Sequence, residues 1–289
     1  MISVVISTYK PDNFNAISAS IQNTIGVFYE LIKITNNGEL TIHQAYNKGL
    51  SIAKYNSIVF VHDDVIFNTQ GWGKHIINHF ENDKKIALIG VAGSSAKTKA
   101  PSAWSWNGKK NNFHYLIQYH NGKLDKDYTG KDAYLPKNST FETLLIDGLF
   151  IAMRKNAGLK FDERLIAFHE YDLSISLNAH INGWKNIITT YISLTHFSLG
   201  KRDEKWIESA DIFSDLYNDV LPVCLSSAKE KIGEQLEITN YKRFINLCLA
   251  NNNKRLAYKY FTRLRTIAFY NLSTYRLWIK ILRKTNRKK

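Results

Sequence analysis

Cysteine, long apolar runs and, toward one end, acidic residues are scarce in this 289-residue chain. There are two cysteines, Cys224 and Cys248, each in an apolar, helix-like context, so a disulfide framework is not expected and a reducing compartment fits. No stretch of 18 apolar residues occurs, which argues against a membrane span. The opening Met1–Ser7 is apolar but has no basic lead-in and no cleavage site, and it reads as a first strand rather than a signal peptide. Repeats and low-complexity segments are missing too. After Glu237 there is no acidic residue at all. Residues 221–289 hold 16 Lys+Arg against 3 Asp+Glu, whereas residues 1–220 hold 23 against 22. The net charge of +14 is therefore a property of the tail. A basic tail on a near-neutral body points to an anionic surface as partner.

What is present is an alternation of strand and helix. Ile2–Ser7 is a β-branched apolar run, Asn13–Thr24 reads as a helix, and Leu31–Thr35 is a strand stopped by Asn36-Asn37-Gly38. Thr41–Lys54 is helical. Ser57–Val61 is a strand that runs into His62-Asp63-Asp64. A helix near Trp72–Glu81 and a strand at Ile86–Gly90 follow. This order predicts an α/β fold, a doubly wound sheet with helices on both faces. Ligands in such sheets sit beyond the carboxyl ends of the strands. Three of those ends are polar: Thr8-Tyr9, Asn36-Asn37 and His62-Asp63-Asp64. Residues 91–140 interrupt the alternation and read as an irregular insertion, a type of segment that is usually functional. Thr143–Met153, broken at Asp147-Gly148, resumes the sheet. A helix over Asp172–Ile181, a strand over Lys185–Tyr191 and a helix from about Glu204 to Asn218 follow. The expected organisation is a catalytic domain over 1–222 and a basic amphipathic helical tail over 223–289.

The chemistry concentrates at the tip of the third strand. Adjacent carboxylates repel, so Asp63-Asp64 beside His62 makes sense around a cation. Hard oxygen ligands suit Mg²⁺ or Mn²⁺, which would also bridge a diphosphate. Alternatively, Asp63 or Asp64 caps a following helix. Asp147-Gly148 follows an apolar strand, and it is either a plain turn or a carboxylate next to a backbone that a ligand approaches closely. Trp104 and Trp106 offer faces for sugar rings or cores for the insertion.

Five stretches in order resemble the family 2 glycosyltransferases with a GT-A fold, in a bacterial subgroup. They are Val4–Tyr9; Gln44–Leu50; His62-Asp63-Asp64, a version of the Asp-x-Asp motif; Phe161–Arg164 with Phe168–Leu177; and Gly183–Lys185 with Thr195–Gly200. The resemblance covers residues 1 to about 200. It implies a GT-A mixed sheet and an inverting transfer of a sugar from a nucleotide-diphosphate donor to a hydroxyl of a glycan or lipid-linked glycan, in bacterial surface polysaccharide synthesis. It places Asp64 on the cation. Either His62 or Asp63 supplies the second contact, and His196 matches the distal histidine. An imidazole ligand suits Mn²⁺ more than Mg²⁺. Asp172 matches the general base, with Glu170 in reserve. Asp147 would face donor sugar or acceptor. Thr8, Tyr9 and Asn36, with Asp63 beside them, would contact the nucleotide, and Asn47 would lie near the phosphates. Three positions depart from the pattern: His62 stands at the first acidic position of the metal motif, a second Asp is replaced by Ser174, and a Glu by Tyr171. The departures at His62 and Ser174 keep open a nucleotide-sugar-binding module without activity.

In the tail, Leu256, Tyr260, Phe261, Leu264, Ile267 and Ala268 recur at helical spacing, as do Leu277, Trp278, Ile281 and Leu282. Lys254, Arg255, Lys259, Arg263, Arg265, Arg276, Lys280, Arg283 and Lys284 lie between them. Such helices commonly lie on anionic lipid, which predicts a cytoplasmic protein peripheral to the inner face of the membrane. The alternative is a helical pair packed on the catalytic domain. Nucleic acid is the weakest candidate partner because no recognised motif accompanies the charge.

Overall fold

A computed structural model of the chain describes residues 1–268 and 272–285, without the side chains of 272, 273 and 283–285. In chain order its N-terminal elements are β1 (Ile2–Thr8), α1 (Pro11–Thr24), β2 (Tyr29–Thr35), α2 (Ile42–Ile52), β3 (Ser57–Val61), β4 (Val65–Phe67), α3 (Trp72–Asn82) and β5 (Ile86–Gly90). There follow β6 (Ala92–Ser94), β7 (Ala96–Lys97), β8 (Asn112–His114), β9 (Ile117–His120), β10 (Lys123–Asp127), β11 (Thr140–Thr143), β12 (Leu145–Ile146) and β13 (Phe150–Arg154). The remainder is α4 (Tyr171–Ile181), β14 (Lys185–Thr189), β15 (Leu194–His196), α5 (Glu204–Leu216), β16 (Val223–Cys224), α6 (Glu234–Ala250), α7 (Lys254–Ile267) and α8 (Leu272–Thr285).

The central sheet has seven strands in the order β11-β14-β5-β13-β3-β1-β2. β1 pairs in parallel with β2 and β3, and β14 with β5, while β13 runs antiparallel between β3 and β5. The sheet is mixed, as expected. Successive side chains of a strand point to opposite faces, and β1 shows it. Val4 and Ile6 join a core with Ile17, Ile21, Trp72, Ile76 and Phe80 of α1 and α3. Val5 joins a second core with Tyr46 and Leu50 of α2 and Ile175 and Ala179 of α4. Helices therefore cover both faces. Trp72 anchors the first core, stacked on Phe67 at 4.2 Å and 8° with its indole N–H donated to Thr24 Oγ1 at 3.0 Å. Truncating so large a buried ring to alanine typically costs about 3–5 kcal/mol.

Two expectations change. Residues 91–140 are not irregular throughout, since they contain β6–β10, and β9 belongs to a second sheet of order β10-β9-β15-β4. These strands are two to five residues long, too short for any period to show in the sequence. The tail, in turn, does not offer its apolar stripe to solvent. Leu256, Tyr260, Phe261, Leu264, Ala268, Leu277 and Ile281 are buried in one core with Ala100 and with Trp206, Ile207 and Ala210 of the α5 region, across the expected boundary at 222. Trp278 stacks on Phe261 at 5.0 Å. Ile267 and Leu282 remain exposed. Lys259 binds Asp211 and Asp215 of α5 at 2.6 Å each, and Arg263 binds Asp215 at 2.8 Å. The side chains of Arg283 and Lys284, and residues 286–289, lie outside the described residues. Among those residues no helix is long and apolar enough to cross a membrane.

Candidate active site

Because β1, β2 and β3 are parallel neighbours, their carboxyl ends meet, bringing Thr8, Asn36 and His62-Asp63-Asp64 to one edge. After Asp64 the chain enters β4, not a helix, so neither aspartate acts as a helix cap there. Instead β4 pairs antiparallel with β15, and the register sets His196 against Val65. That pairing carries His196 from the far end of the domain to within 3.5 Å of Asp64 Oδ1, measured from Nε2. His62 Nδ1 lies 3.9 Å from the same oxygen. One ligand atom each from His62, Asp64 and His196 falls within 4.8 Å of the others.

Asp63 is not in this group. Its Oδ2 accepts a 2.5 Å hydrogen bond from Thr8 Oγ1, tying the turn to the end of β1. Of the two alternatives open in the sequence, the structure places His62 with Asp64 and His196.

The donor set fits a divalent cation. Asp64 Oδ1 and His196 Nε2 are both buried, and neither has a hydrogen-bond partner. Leaving such atoms unpaired costs free energy on the order of 1–3 kcal/mol each, a cost that a bound cation would relieve. Burial acts against the charge of Asp64, yet the facing imidazoles of His196 and His62 outweigh it and hold the carboxyl well below the ordinary aspartate range. Burial also lowers His62, favouring the neutral ring that a metal requires.

Both rings are aimed by their other nitrogen. β15 runs parallel to β9 with His196 opposite Gln118. Gln118 Nε2 donates to the carbonyls of Tyr119, His196 and Ser198 at 2.8, 3.2 and 2.8 Å. Its Oε1 must then face His196 Nδ1, 3.1 Å away. An amide oxygen only accepts, so Nδ1 carries the proton and Nε2 keeps a free lone pair toward Asp64. On the other side, His62 Nε2 meets the Tyr171 hydroxyl at 2.6 Å, leaving Nδ1 toward Asp64.

Tyr171 also connects the cluster to the carboxylates. It opens α4, and the next residue is Asp172. Antiparallel pairing of β13 with β3, extended by the bond from His62 N to Leu149 O, lays Asp147-Gly148 beside this point. A side chain at Gly148 would collide with the Tyr171 hydroxyl, so only glycine fits. Gly148 N donates to Asp172 Oδ2 at 3.0 Å, and Leu173 N to Oδ1 at 2.9 Å. Asp172 is half-buried in the first turn, while the N-cap is Glu170, so Asp172 is not the cap. Burial, reinforced by the negative charge of Asp147, pushes Asp172 up to about 7 against those two N–H donors. Asp147 is held in turn, with Oδ2 taking the Trp104 indole N–H at 2.7 Å and Oδ1 the Leu149 N–H at 3.0 Å.

Other expected site residues have different duties. Asn36 is buried and spends its amide on its own turn, with Oδ1 accepting from Gly38 N and Leu40 N and Nδ2 donating to Leu40 O. These bonds shape the loop after β2. Asn47 brackets Phe161 through both backbone groups and donates to Glu163 Oε1 at 2.8 Å, so it clamps the approach to α4. Glu170 is 5% exposed, with backbone φ of 62°. Burial raises it to about 8, opposed by Lys97, so the reserve base is the less accessible and less ionised of the two. Tyr9 is 61% exposed at the edge. Ser174, standing where a second Asp was expected, is fully buried on the inner side of α4, a position hostile to an extra charge.

Gln118 and the positioning roles of Tyr171 and Trp104 were not visible in the sequence. Gln118 sits in a four-residue strand within the stretch that reads as irregular, and only the register of β9 on β15 gives it meaning.

A model for a family described as "Glycosyltransferase like family" matches residues 3–228. No curated protein matches the chain. Among solved structures, "Crystal structure of GalNAc-T7 with UDP, GalNAc and Mn2+" is 11% identical with a TM-score of 0.50, over 76% of this chain and 50% of that one. This chain thus spans half the length of that structure. The structure of S. aureus TarS 1–349 is 13% identical with a TM-score of 0.47, over 98% of this chain and 79% of that one. At such identities the likeness is one of fold, and the fold is GT-A.

Proposed function

The chain belongs to the glycosyltransferase-like family matched over residues 3–228, and from that premise we propose that it is an inverting enzyme. It would move a sugar from a nucleoside-diphosphate donor to a hydroxyl of a glycan or lipid-linked glycan. The observation that carries this reading is the pair of buried, unpartnered atoms, Asp64 Oδ1 and His196 Nε2, joined to Asp172 through His62 and Tyr171.

Asp64, His62 and His196 would hold a divalent cation, Mn²⁺ suiting two imidazoles better than Mg²⁺. Bound there, it would offset the charge that develops on the departing diphosphate. The chain's own residues do the rest. Asp172 takes the proton of the attacking hydroxyl. Its oxygens are fixed by Gly148 N and Leu173 N, and a carboxyl near 7 is matched to proton transfer at neutral pH. No second carboxylate is positioned as a nucleophile by the arrangement at Asp172, since Asp147 is engaged by Trp104 and Leu149, which favours a single displacement with inversion. Thr8 and Asp63 brace the edge where the donor would lie, with Tyr9 exposed beside them. The bacterial polysaccharide setting follows from the sequence resemblance. Residence at an anionic membrane face would rest on charge, because the apolar stripe of the tail is used internally.

The test is turnover of sugar nucleotides, with the donor class first chosen by thermal shift against nucleoside diphosphates with and without Mn²⁺. Chelation should stop turnover. Asp172→Asn should lower kcat by about 10²–10⁴, the usual worth of a positioned base, with nucleoside diphosphate and Mn²⁺ still bound. Wild-type turnover in Asp172→Asn would remove that residue from the mechanism.

A further inference from the structure

Trp104 and Trp106 share one 3-10 turn, Trp104–Trp106, but face different neighbours. Trp104 holds Asp147. Trp106 forms part of a cleft of about 770 Å³ whose lining includes Arg202, Thr239, Lys242, Arg243 and Asn246. Two guanidinium groups address the same indole, Arg202 at 5.3 Å and Arg243 at 5.6 Å from its ring centre. The ring is held from behind by Trp206 at 5.9 Å and by Asn240, which donates to the Trp106 carbonyl at 3.2 Å.

Like charges brought to one ring repel each other, and a fold normally relieves this with a carboxylate. Among the described residues, neither Arg202 nor Arg243 has one. Nearby acids are committed elsewhere. Asp203 accepts from Trp206 N to cap α5, and both oxygens of Glu237 accept from Lys99 N and Ala100 N. The contrast with Lys259 and Arg263, each paired with α5 aspartates, shows that this helical region can pair its cations and does not do so here. Arg202 comes six residues after His196, in the segment that leaves the reaction edge.

Planar guanidinium groups match tetrahedral oxyanions through paired N–H donors. Thr239 and Asn246 line the cleft but donate to Gln235 O and Lys242 O, and Asn246 Oδ1 accepts from Lys280 Nζ, so the two arginines are the paired donors the cleft offers. We propose that the cleft on Trp106, between Arg202 and Arg243, receives a phosphate ester carried by the acceptor. The proposal extends the glycosyl-transfer reading by naming the acceptor's chemical class, and it places the anionic part of the acceptor across the turn from Asp147.

Glycerol 3-phosphate is the soluble probe. It is titrated by calorimetry into the full chain at low and at moderate ionic strength, alongside Arg202→Gln and Arg243→Gln. The expected result is saturable binding that weakens with salt and falls about tenfold or more in each variant, as loss of a charge-assisted pair implies. Both variants should keep the thermal shift given by nucleoside diphosphate plus Mn²⁺, and Asp64→Ala should lose it. Absence of binding at low ionic strength, or wild-type affinity in both variants, overturns the proposal. So does binding to phosphatidylglycerol vesicles without binding of the soluble ester, which would make these arginines part of a diffuse basic face. If the ester binds through the arginines while nucleoside diphosphates fail to bind the wild type, the cleft stands and the glycosyl-transfer reading falls.

Discussion

Two charged clusters in this protein are built from similar parts and treated in opposite ways. On α5, Asp211 is 8% exposed, and its Oδ1 takes Lys259 Nζ at 2.6 Å and the Tyr260 hydroxyl at 2.7 Å. Asp215 takes Lys259 and Arg263. Each of these carboxylates finds a cation or a hydroxyl, and the tail is fastened to the catalytic body. At the edge of the main sheet, Asp64 faces two imidazoles at 3.5 and 3.9 Å, and its buried Oδ1 forms no hydrogen bond. A network that exists to hold a fold together satisfies itself. A network that leaves buried donors and acceptors open is stable only because the surrounding structure over-determines it, and it is completed by a ligand.

The contrast can be pressed at its strongest point through Gln118. In Gln118→Leu the His196 ring loses the acceptor that keeps its proton on Nδ1. Mn²⁺ affinity, measured by calorimetry, should fall about 10–100-fold, the usual effect of deleting a group that orients a metal ligand. Unchanged affinity would show that β15 alone aims the ring.

Next comes stability. Asp211→Ala strands Lys259 and the Tyr260 hydroxyl. It should cost roughly 2 kcal/mol in denaturant unfolding, less than a full buried-pair rupture because Lys259 retains Asp215. Asp64→Asn removes a carboxylate that the facing imidazoles hold ionised, and it should cost less, because it strands neither a lysine nor a hydroxyl. If the two substitutions destabilised equally, the distinction between a self-satisfied and an open cluster would fail.

The smallest effect is on pH dependence. Asp172 is raised to about 7 by burial and by Asp147, with Glu170 and Tyr171 as its other ionisable neighbours. In the proposed role of base Asp172 works only when deprotonated, so kcat should decline as pH falls through about 7. Asp147→Asn removes the like charge, while the side-chain amide oxygen can still accept from Trp104. It should move that acid limb to lower pH. A limb that stays in place would assign the wild-type shift to burial alone.

Much of the fold was legible because its signals are local. β1, β3 and β5 are short β-branched or apolar runs, and the helices between them carry apolar faces at helical spacing. The polar tips of β1, β2 and β3 converge because parallel neighbours must end together. The Asp64–His196 match came from motif order and not from any physical signal in the chain. The loop-closing bonds of Asn36 and Asn47 were not legible, because asparagine at a strand end or on a helix looks the same whether it binds a ligand or closes a loop. Only its hydrogen-bond partners tell, and Asn47 finds those partners 114 and 116 residues away. The tail was read as amphipathic, which it is, but an apolar stripe carries no mark of whether lipid or protein will cover it.

By itself, then, the sequence determined the alternating α/β architecture, the edge where polar strand ends gather, and the segregation of positive charge into the last seventy or so residues. These follow from periodicity, β-propensity and composition, which act over a few residues. Tertiary structure alone decided that His62 rather than Asp63 joins Asp64 and His196, that Gln118 sets the tautomer of His196, and that the tail turns its apolar face inward. Each of those depends on strand register or helix docking between segments far apart in the chain, where a shift of one residue would turn the side chain to the other face.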